Sequence, residues 1–592
     1  MQYRIWRSPY ARFGGLNSLC PDDSTDETIT ALHTYTDPEL KKIAENGFNA
    51  FWVHAVPANM TRSDLFPEFG EQAARHVENM NRLIERADRF GLKVFLYYQP
   101  VRSVAAGNRE FWKNHPDCMG QKELATEQIL EENLHEPIEM YCLCTSVPKV
   151  RQWVRGAASQ IAEKLPGLGG MILITGSEYP GHCYSHRTKV HPTEWSPLIE
   201  CPRCREREPH EVAAELVTLV RDGIREHSSS MEIVAWNWAW TSWLKSPCRP
   251  LLELLPRDVT VMACCERGGF MDLAERPKHP VNEYSLIYGG PSGVCTGTLE
   301  AAGELGMRRM TKLQLGTTHE LANVVNLPMM NSIYAKADWH RKHPDVGYMG
   351  CWNCGNFFSA NTCGFHYFLR PDRPDNKKEA IRAFAEHYFP GCDSGLVARA
   401  WDNFEYAARY FPYAIPFLYR GVQTCALSYS EIFRAEKLRG KPFGCSYLPM
   451  KERGDDLTGS ITMRPHEFTL DELIGYLGKM AVLWRQGVGF LAEGLDGCEE
   501  KHELGNAVIC GCIWQSSENI YRAYRLRCEW DDSRRDELKH IVLSELEAVN
   551  TALPWVEKDE RQGWHGEAFV RFFDPESMRR KIVFLETLLR EM

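Results

Sequence analysis

Three glutamates stand where a short apolar run gives way to a loop: Thr175-Gly176-Ser177-Glu178-Tyr179, Cys264-Cys265-Glu266-Arg267-Gly268 and Gly316-Thr317-Thr318-His319-Glu320. Glutamate is disfavoured in strands, so three in equivalent places ask for a chemical reason. Paired carboxylates supply one. Cleaving a glycosidic bond needs one carboxylic acid to protonate the leaving oxygen and a second carboxylate to attack the anomeric carbon or activate water. Glu178 and Glu320 are expected to flank a sugar from two sides. Glu266 is the third candidate, with Arg267 beside it as a neutralising neighbour.

Aromatic and amide side chains occur at the same kind of position. An indole face packs on sugar C–H groups while Asn, Gln and His bond the hydroxyls. The candidates are His54, Tyr98 and Gln99, Asn237 and Trp238 in Trp236-Asn237-Trp238-Ala239-Trp240, His319, and Trp352 and Asn353 in Cys351-Trp352-Asn353-Cys354. Alternate tryptophans of the Trp236–Trp240 run would share one face if it is a strand. Tyr419 and Arg420 lie in an aromatic segment expected to lid an exo-acting pocket. A further cluster, Cys183 and His186 followed by Cys201-Pro202-Arg203-Cys204, has the make-up of a tetrahedral Cys3His zinc site. A structural zinc that staples the loop is expected there, and no organic cofactor.

The elements that must position these residues alternate regularly. Apolar runs recur at Tyr3–Trp6, Phe48–Ala55, Lys93–Gln99, Gly170–Thr175, Glu232–Ala239, Val259–Cys265, Thr311–Leu315 and Tyr348–Trp352, separated by amphipathic helical patterns. Gly47 and Gly91 stand just before two of them (Gly47-Phe48 and Gly91-Leu92-Lys93), as helix-ending glycines do. Eight strands alternating with helices predict an α/β chain, a (β/α)8 TIM barrel over 1–372, followed by an all-α helical domain over 373–592.

Composition narrows the class. With 69 basic and 79 acidic side chains the net charge is −10, against a nucleic-acid surface. No run approaches the length of a membrane span, and the first residues have no apolar leader core. Twenty-one scattered cysteines, an odd number in a long chain, read as reduced thiols in a cytoplasmic protein. A homodimer is expected.

Several stretches resemble bacterial TIM-barrel glycoside hydrolases related to β-N-acetylhexosaminidases and α-glucuronidases that carry a C-terminal helical domain. They are Leu143-Cys144-Thr145-Ser146, Leu168–Glu178, Thr318-His319-Glu320-Leu321-Ala322, Gly350–Asn356, Ala400–Phe404 leading to Tyr410-Phe411-Pro412, and Arg561–Ala568. The resemblance implies an acid/base at Glu178, a nucleophile or base at Glu320, and an oligosaccharide or glycoconjugate substrate with a terminal sugar, N-acetylhexosamine by preference. Ser177 departs from the Asp or Asn those relatives carry there, which leaves open whether the reaction retains or inverts. The alternatives are an α-glucuronidase-like hydrolase and a glycan-binding protein without hydrolysis.

Overall fold

The computed structural model describes residues 2–11, 26–99, 103–124, 139–176, 181–193, 196–281, 283–444, 454–461, 468–499, 502–567 and 570–592. Eight parallel strands form a closed barrel: β1 (Arg4–Trp6), β2 (Ala50–Ala55), β3 (Lys93–Tyr98), β4 (Gly170–Ile174), β5 (Glu232–Trp236), β6 (Thr260–Cys264), β7 (Arg308–Lys312) and β8 (Gly347–Met349). Each strand pairs with the next in sequence and β8 pairs back to β1. A parallel sheet is covered on both faces, so its strands are apolar throughout. Phe51, Trp52 and Val53 of β2, Phe95 and Leu96 of β3, and Val261 and Met262 of β6 are buried accordingly. Gly47, Gly91 and Gly306 take φ of 85°, 68° and 73° where helices end before β2, β3 and β7. That left-handed turn is open to glycine at little cost.

The chain divides into two compact units. One comprises Met1–Cys265, Ser292–Leu313 and Pro344–Gly350 and holds all eight barrel strands. The other comprises Glu266–Pro291, Gln314–His343 and Cys351–Met592. The division does not follow the linear boundary expected at 372/373, because the segments leaving β6, β7 and β8 cluster with the C-terminal helices. The first unit also carries a three-stranded antiparallel sheet of Ser103–Ala105, Met119–Leu124 and Glu139–Leu143. Short polar strands such as Met119–Leu124 lack the alternation that announces a strand, so sequence periodicity passes over them.

In the second unit the helices Ser394–Ala408, Leu470–Gly494, Glu503–Cys528, Arg535–Lys558 and Pro575–Glu591 pack in succession. Their core is aromatic: Phe404 stacks on Trp484 at 4.5 Å between ring centroids, and Trp484 meets Trp514 edge-on at 6.2 Å. Burying such a side chain contributes roughly 1.5–3 kcal/mol. The helix Glu503–Cys528 is only partly legible from periodicity. Its first half, with Ala507, Ile509, Cys510, Ile513 and Trp514 buried, is covered on most sides, which erases the 3.6-residue pattern. No helix among the described residues is long and apolar enough to cross a membrane.

Candidate active site

In a barrel of this kind the chemistry lies at the C-terminal ends of the strands. Within the first unit, Tyr98 ends β3 and Gln99 follows it. The Tyr98 hydroxyl is buried and has no hydrogen-bond partner among the described residues. Gln99 donates from Nε2 to Tyr97 Oη at 2.9 Å, while its buried Oε1 has no partner there either. His54 in β2 is fully buried; its backbone N–H donates to Glu27 Oε2 at 2.9 Å. Glu27 also accepts from both Arg7 nitrogens, at 2.9 and 3.1 Å, and the Arg7 guanidinium lies 3.7 Å from the Trp52 ring centroid. Burial pushes the Glu27 carboxyl up to about 7 against the pull of Arg7. This pair ties the segment after β1 to β2.

Asn237 follows β5 and accepts the Cys264 backbone N–H at 3.0 Å through Oδ1. The tryptophan stripe is corrected: β5 stops at Trp236, and Trp240 opens a short 3-10 turn. Trp236 and Trp240 are core residues, their indole N–H groups given to Cys264 Sγ at 3.0 Å and Thr175 Oγ1 at 2.9 Å. Trp238 is half-buried. Glu178 lies outside the described residues.

Within the second unit, Glu266 and Glu320 have opposite surroundings. Glu266 is fully buried and pairs through Oε1 with Lys336 Nζ at 3.2 Å. Lys336 donates further to the carbonyls of Ser285 and Gln314, each at 3.1 Å. Glu266 Oε2 is buried with no partner among the described residues. Glu320 has four donors. Its Oε1 accepts from the Ser285 hydroxyl and from Ile287 N at 3.4 Å; its Oε2 accepts from Leu286 N at 2.8 Å and Thr318 Oγ1 at 2.9 Å. Burial pushes its carboxyl above the ordinary range, against those bonds and the Lys336 charge. Tyr413 Oη donates to the Glu283 carbonyl at 2.9 Å, and burial with the charges of Glu320, Glu283 and Glu266 lifts its phenol far above 10.

Gln314, two residues past β7, links the chain segments that follow β7 and β8: its Nε2 donates to Thr317 O at 2.7 Å and its Oε1 accepts Trp352 N at 3.3 Å. Gly355, at φ +74°, allows the close approach, since a Cβ there would lie 2.1 Å from Thr317 O. Asn353 Oδ1 and Asn356 Oδ1 are buried without a partner among the described residues. His319 Nε2 lies 3.1 Å from Glu567 Oε2, its ring 4.7 Å from Tyr419 and 6.1 Å from His565. Burial opposes ionisation of Glu567, but His319 outweighs it and holds the carboxyl below the ordinary range. His319, Cys354 and Glu567 place ligand atoms within 4.8 Å of one another. Arg420 is exposed, Trp352 buried.

His565 supplies a pH test. Burial first, and the His319 charge second, hold its imidazole at about 3, far below 6.5. The neutral ring stabilises the fold fully above pH 6.5. That stability is lost as pH falls, because the unfolded chain takes up the proton first. At pH 5 the loss is about 2 kcal/mol. Urea midpoints at pH 7 and 5 should therefore differ more for the wild type than for His565→Gln; equal differences would refute this.

The cysteine cluster forms with a different fourth member. Cys183, Cys201 and Cys204 meet Cys144, all four buried and within 4.8 Å of one another, while His186 stands outside the group. Cys144 is 39 residues from Cys183 in sequence (183 − 144), so spacing alone does not find it. Lys336 had a visible signal: it lies on the buried face of its helix with Ile333, Ala337 and His340, where a lysine needs a partner. Ser285 had none beyond its residue type, and Glu567 only its place in the Arg561–Ala568 stretch.

No family model matches the sequence, and no curated protein matches it. Among solved structures, a GH138 enzyme targeting pectin rhamnogalacturonan II superposes on 94% of this chain and 63% of its own with a TM-score of 0.50 at 11% identity. This chain thus spans about 63% of that protein's length. PbGH5A, a glycoside hydrolase family 5 enzyme from Prevotella bryantii B14, covers 62% of this chain and 96% of its own at 10% identity and a TM-score of 0.35. The first likeness speaks for the fold, a (β/α)8 barrel with a helical region, and a fold does not fix a function.

Proposed function

We propose that this chain is an exo-acting O-glycoside hydrolase. The observation that carries the reading is Glu266 Oε2, a buried carboxylate oxygen two residues past barrel strand β6 that the described residues leave without a donor. Buried polar atoms are nearly always bonded, and one left over near a strand end can accept a donor from a ligand. In the same unit, Asn353 Oδ1 and Asn356 Oδ1 after β8 are left over in the same way. The glycoside hydrolase with a similar fold supports the reading.

Glu178 is assigned as the acid that protonates the leaving oxygen and Glu266 as the carboxylate that serves the anomeric carbon, directly or through water. The expectation that Glu320 is the nucleophile is set aside: four donors occupy both its oxygens, which suits a carboxylate that holds the Ser285–Ile287 turn. The substrate assigned is a glycan with a terminal N-acetylhexosamine, from the sequence resemblance. A uronide is the second choice, from the glucuronidase-like stretches and the pectic target of the GH138 enzyme.

An aryl-glycoside panel that includes both sugars, alongside pectic oligosaccharides, tests this. Hydrolysis is expected, and Glu178→Gln should lose far more rate on poor leaving groups than on activated aryl groups, which need no proton. NMR of the first-formed anomer then separates retention from inversion. Glycan binding with no turnover on any substrate would refute the assignment in favour of a binding protein.

A further inference from the structure

The four-thiol group lies in the first unit and joins three stretches of chain: Cys144 directly after the strand Glu139–Leu143, Cys183 in the loop that leaves β4, and the Cys201–Cys204 turn. Cys144 Sγ is 3.8 Å from Cys201 Sγ and 3.6 Å from Cys204 Sγ. Those separations exclude a disulfide, whose sulfurs sit about 2.05 Å apart. They match another geometry. Four sulfurs at the corners of a tetrahedron, each about 2.3 Å from a central zinc, lie about 3.8 Å from one another.

Packed neutral thiols would also touch near this distance, so the surroundings decide. Two N–H groups point at the sulfurs. Gln121 N donates to Cys183 Sγ at 3.3 Å, and Arg203 Nε donates to Cys144 Sγ at 3.3 Å. Donors of this kind, one of them cationic, suit thiolates and are the usual support around a metal's ligands. The backbone is shaped for the approach. Met119–Leu124 carries a register shift between Met119 and Lys122 in its pairing with Glu139–Leu143, and a Cβ on Gly120 would lie 2.7 Å from Cys183 Sγ. Gln121 also accepts the N–H groups of Glu200 and Cys201 through Oε1, at 2.8 and 3.1 Å, which fixes the entry to the Cys201–Cys204 turn.

We propose that Cys144, Cys183, Cys201 and Cys204 bind one structural zinc ion as a closed tetrathiolate site. Four thiolates satisfy the tetrahedral preference and leave no open position, so the metal does not enter the reaction. Two positive charges against four negative leave −2, which Arg203 partly offsets. The ion ties the loop that leaves β4 to the small antiparallel sheet. The inference rests on the thiol geometry and is independent of the glycosidase reading.

Metal analysis of the purified full chain should find about one zinc per chain. Cobalt(II) exchanged into the site should give the charge-transfer bands of four thiolates and the d–d bands of a tetrahedral ion. Cys144→Ser should fall to about a tenth of the wild-type zinc content or lower, while His186→Ala and Cys142→Ser keep it. If Cys144→Ser does not fold, the thiolate count from the wild-type cobalt spectrum still decides. Wild-type protein without metal, a red protein loaded with iron, or zinc kept in Cys144→Ser and lost in His186→Ala would each overturn the proposal.

Discussion

Glu266→Gln leaves the chain folded and lowers kcat by a factor on the order of 10³ to 10⁴. The fold tolerates the change because only one oxygen of Glu266 is bonded: the amide oxygen can keep Lys336 Nζ, and the new NH₂ goes where no donor opposes it. Lys336 keeps the carbonyls of Ser285 and Gln314 and the charge of Glu320. Glu320→Gln is the matched control. Wherever its NH₂ is placed, it meets two donors, either Ser285 Oγ and Ile287 N or Leu286 N and Thr318 Oγ1. It should therefore cost stability first, roughly 1–3 kcal/mol for each bond turned into a clash of donors. Rates measured with thermal midpoints separate the two roles. A fully active Glu266→Gln beside a stable but inactive Glu320→Gln would return the reacting carboxylate to Glu320.

Lys336→Met destabilises the protein by about 3–5 kcal/mol at neutral pH. The side chains are close in size, so the loss is electrostatic: Glu266 stays buried with neither oxygen bonded, and Glu320 loses a nearby positive charge. A buried carboxylate that loses a nearby cation takes up a proton more readily. Burial already holds Glu320 above the ordinary range against the Lys336 charge, so without Lys336 it rises further, and the variant recovers stability against the wild type as pH falls and loses it as pH climbs. In the wild type the Lys336 charge keeps this component smaller. Urea midpoints of both proteins from pH 7 to 5 read it directly. A variant whose deficit is the same at both ends would show that Lys336 acts through packing rather than charge.

The eight barrel strands and most of the long helices were legible because their signals are local. An apolar run, helical periodicity and a glycine at a helix end depend on residues a few positions apart, and those indicate Gly91 before β3 and the helix Lys377–Tyr388. The positions of the glutamates after β6 and β7 follow from the same strands. What each glutamate can do does not. Ser285 reaches Glu320 across 35 residues and Lys336 reaches Glu266 across 70. A carboxylate with four donors and one with a free oxygen look alike in a sequence, since nothing local records which distant donors arrive.

The cysteines make the same point. Cys201 and Cys204 announce themselves by spacing, and His186 looked as good a fourth ligand as any. Only the fold shows that a strand ending at Leu143 delivers Cys144 to them. Local patterns were enough for the barrel, the helical half and the residue types at the strand ends. Tertiary structure alone decided which carboxylate keeps an oxygen for a ligand, which cysteine completes the thiol group, and that the segments after β6, β7 and β8 cluster with the C-terminal helices. The reason is range: periodicity is written in neighbouring residues, while desolvation and hydrogen-bond saturation depend on chain brought in from far away.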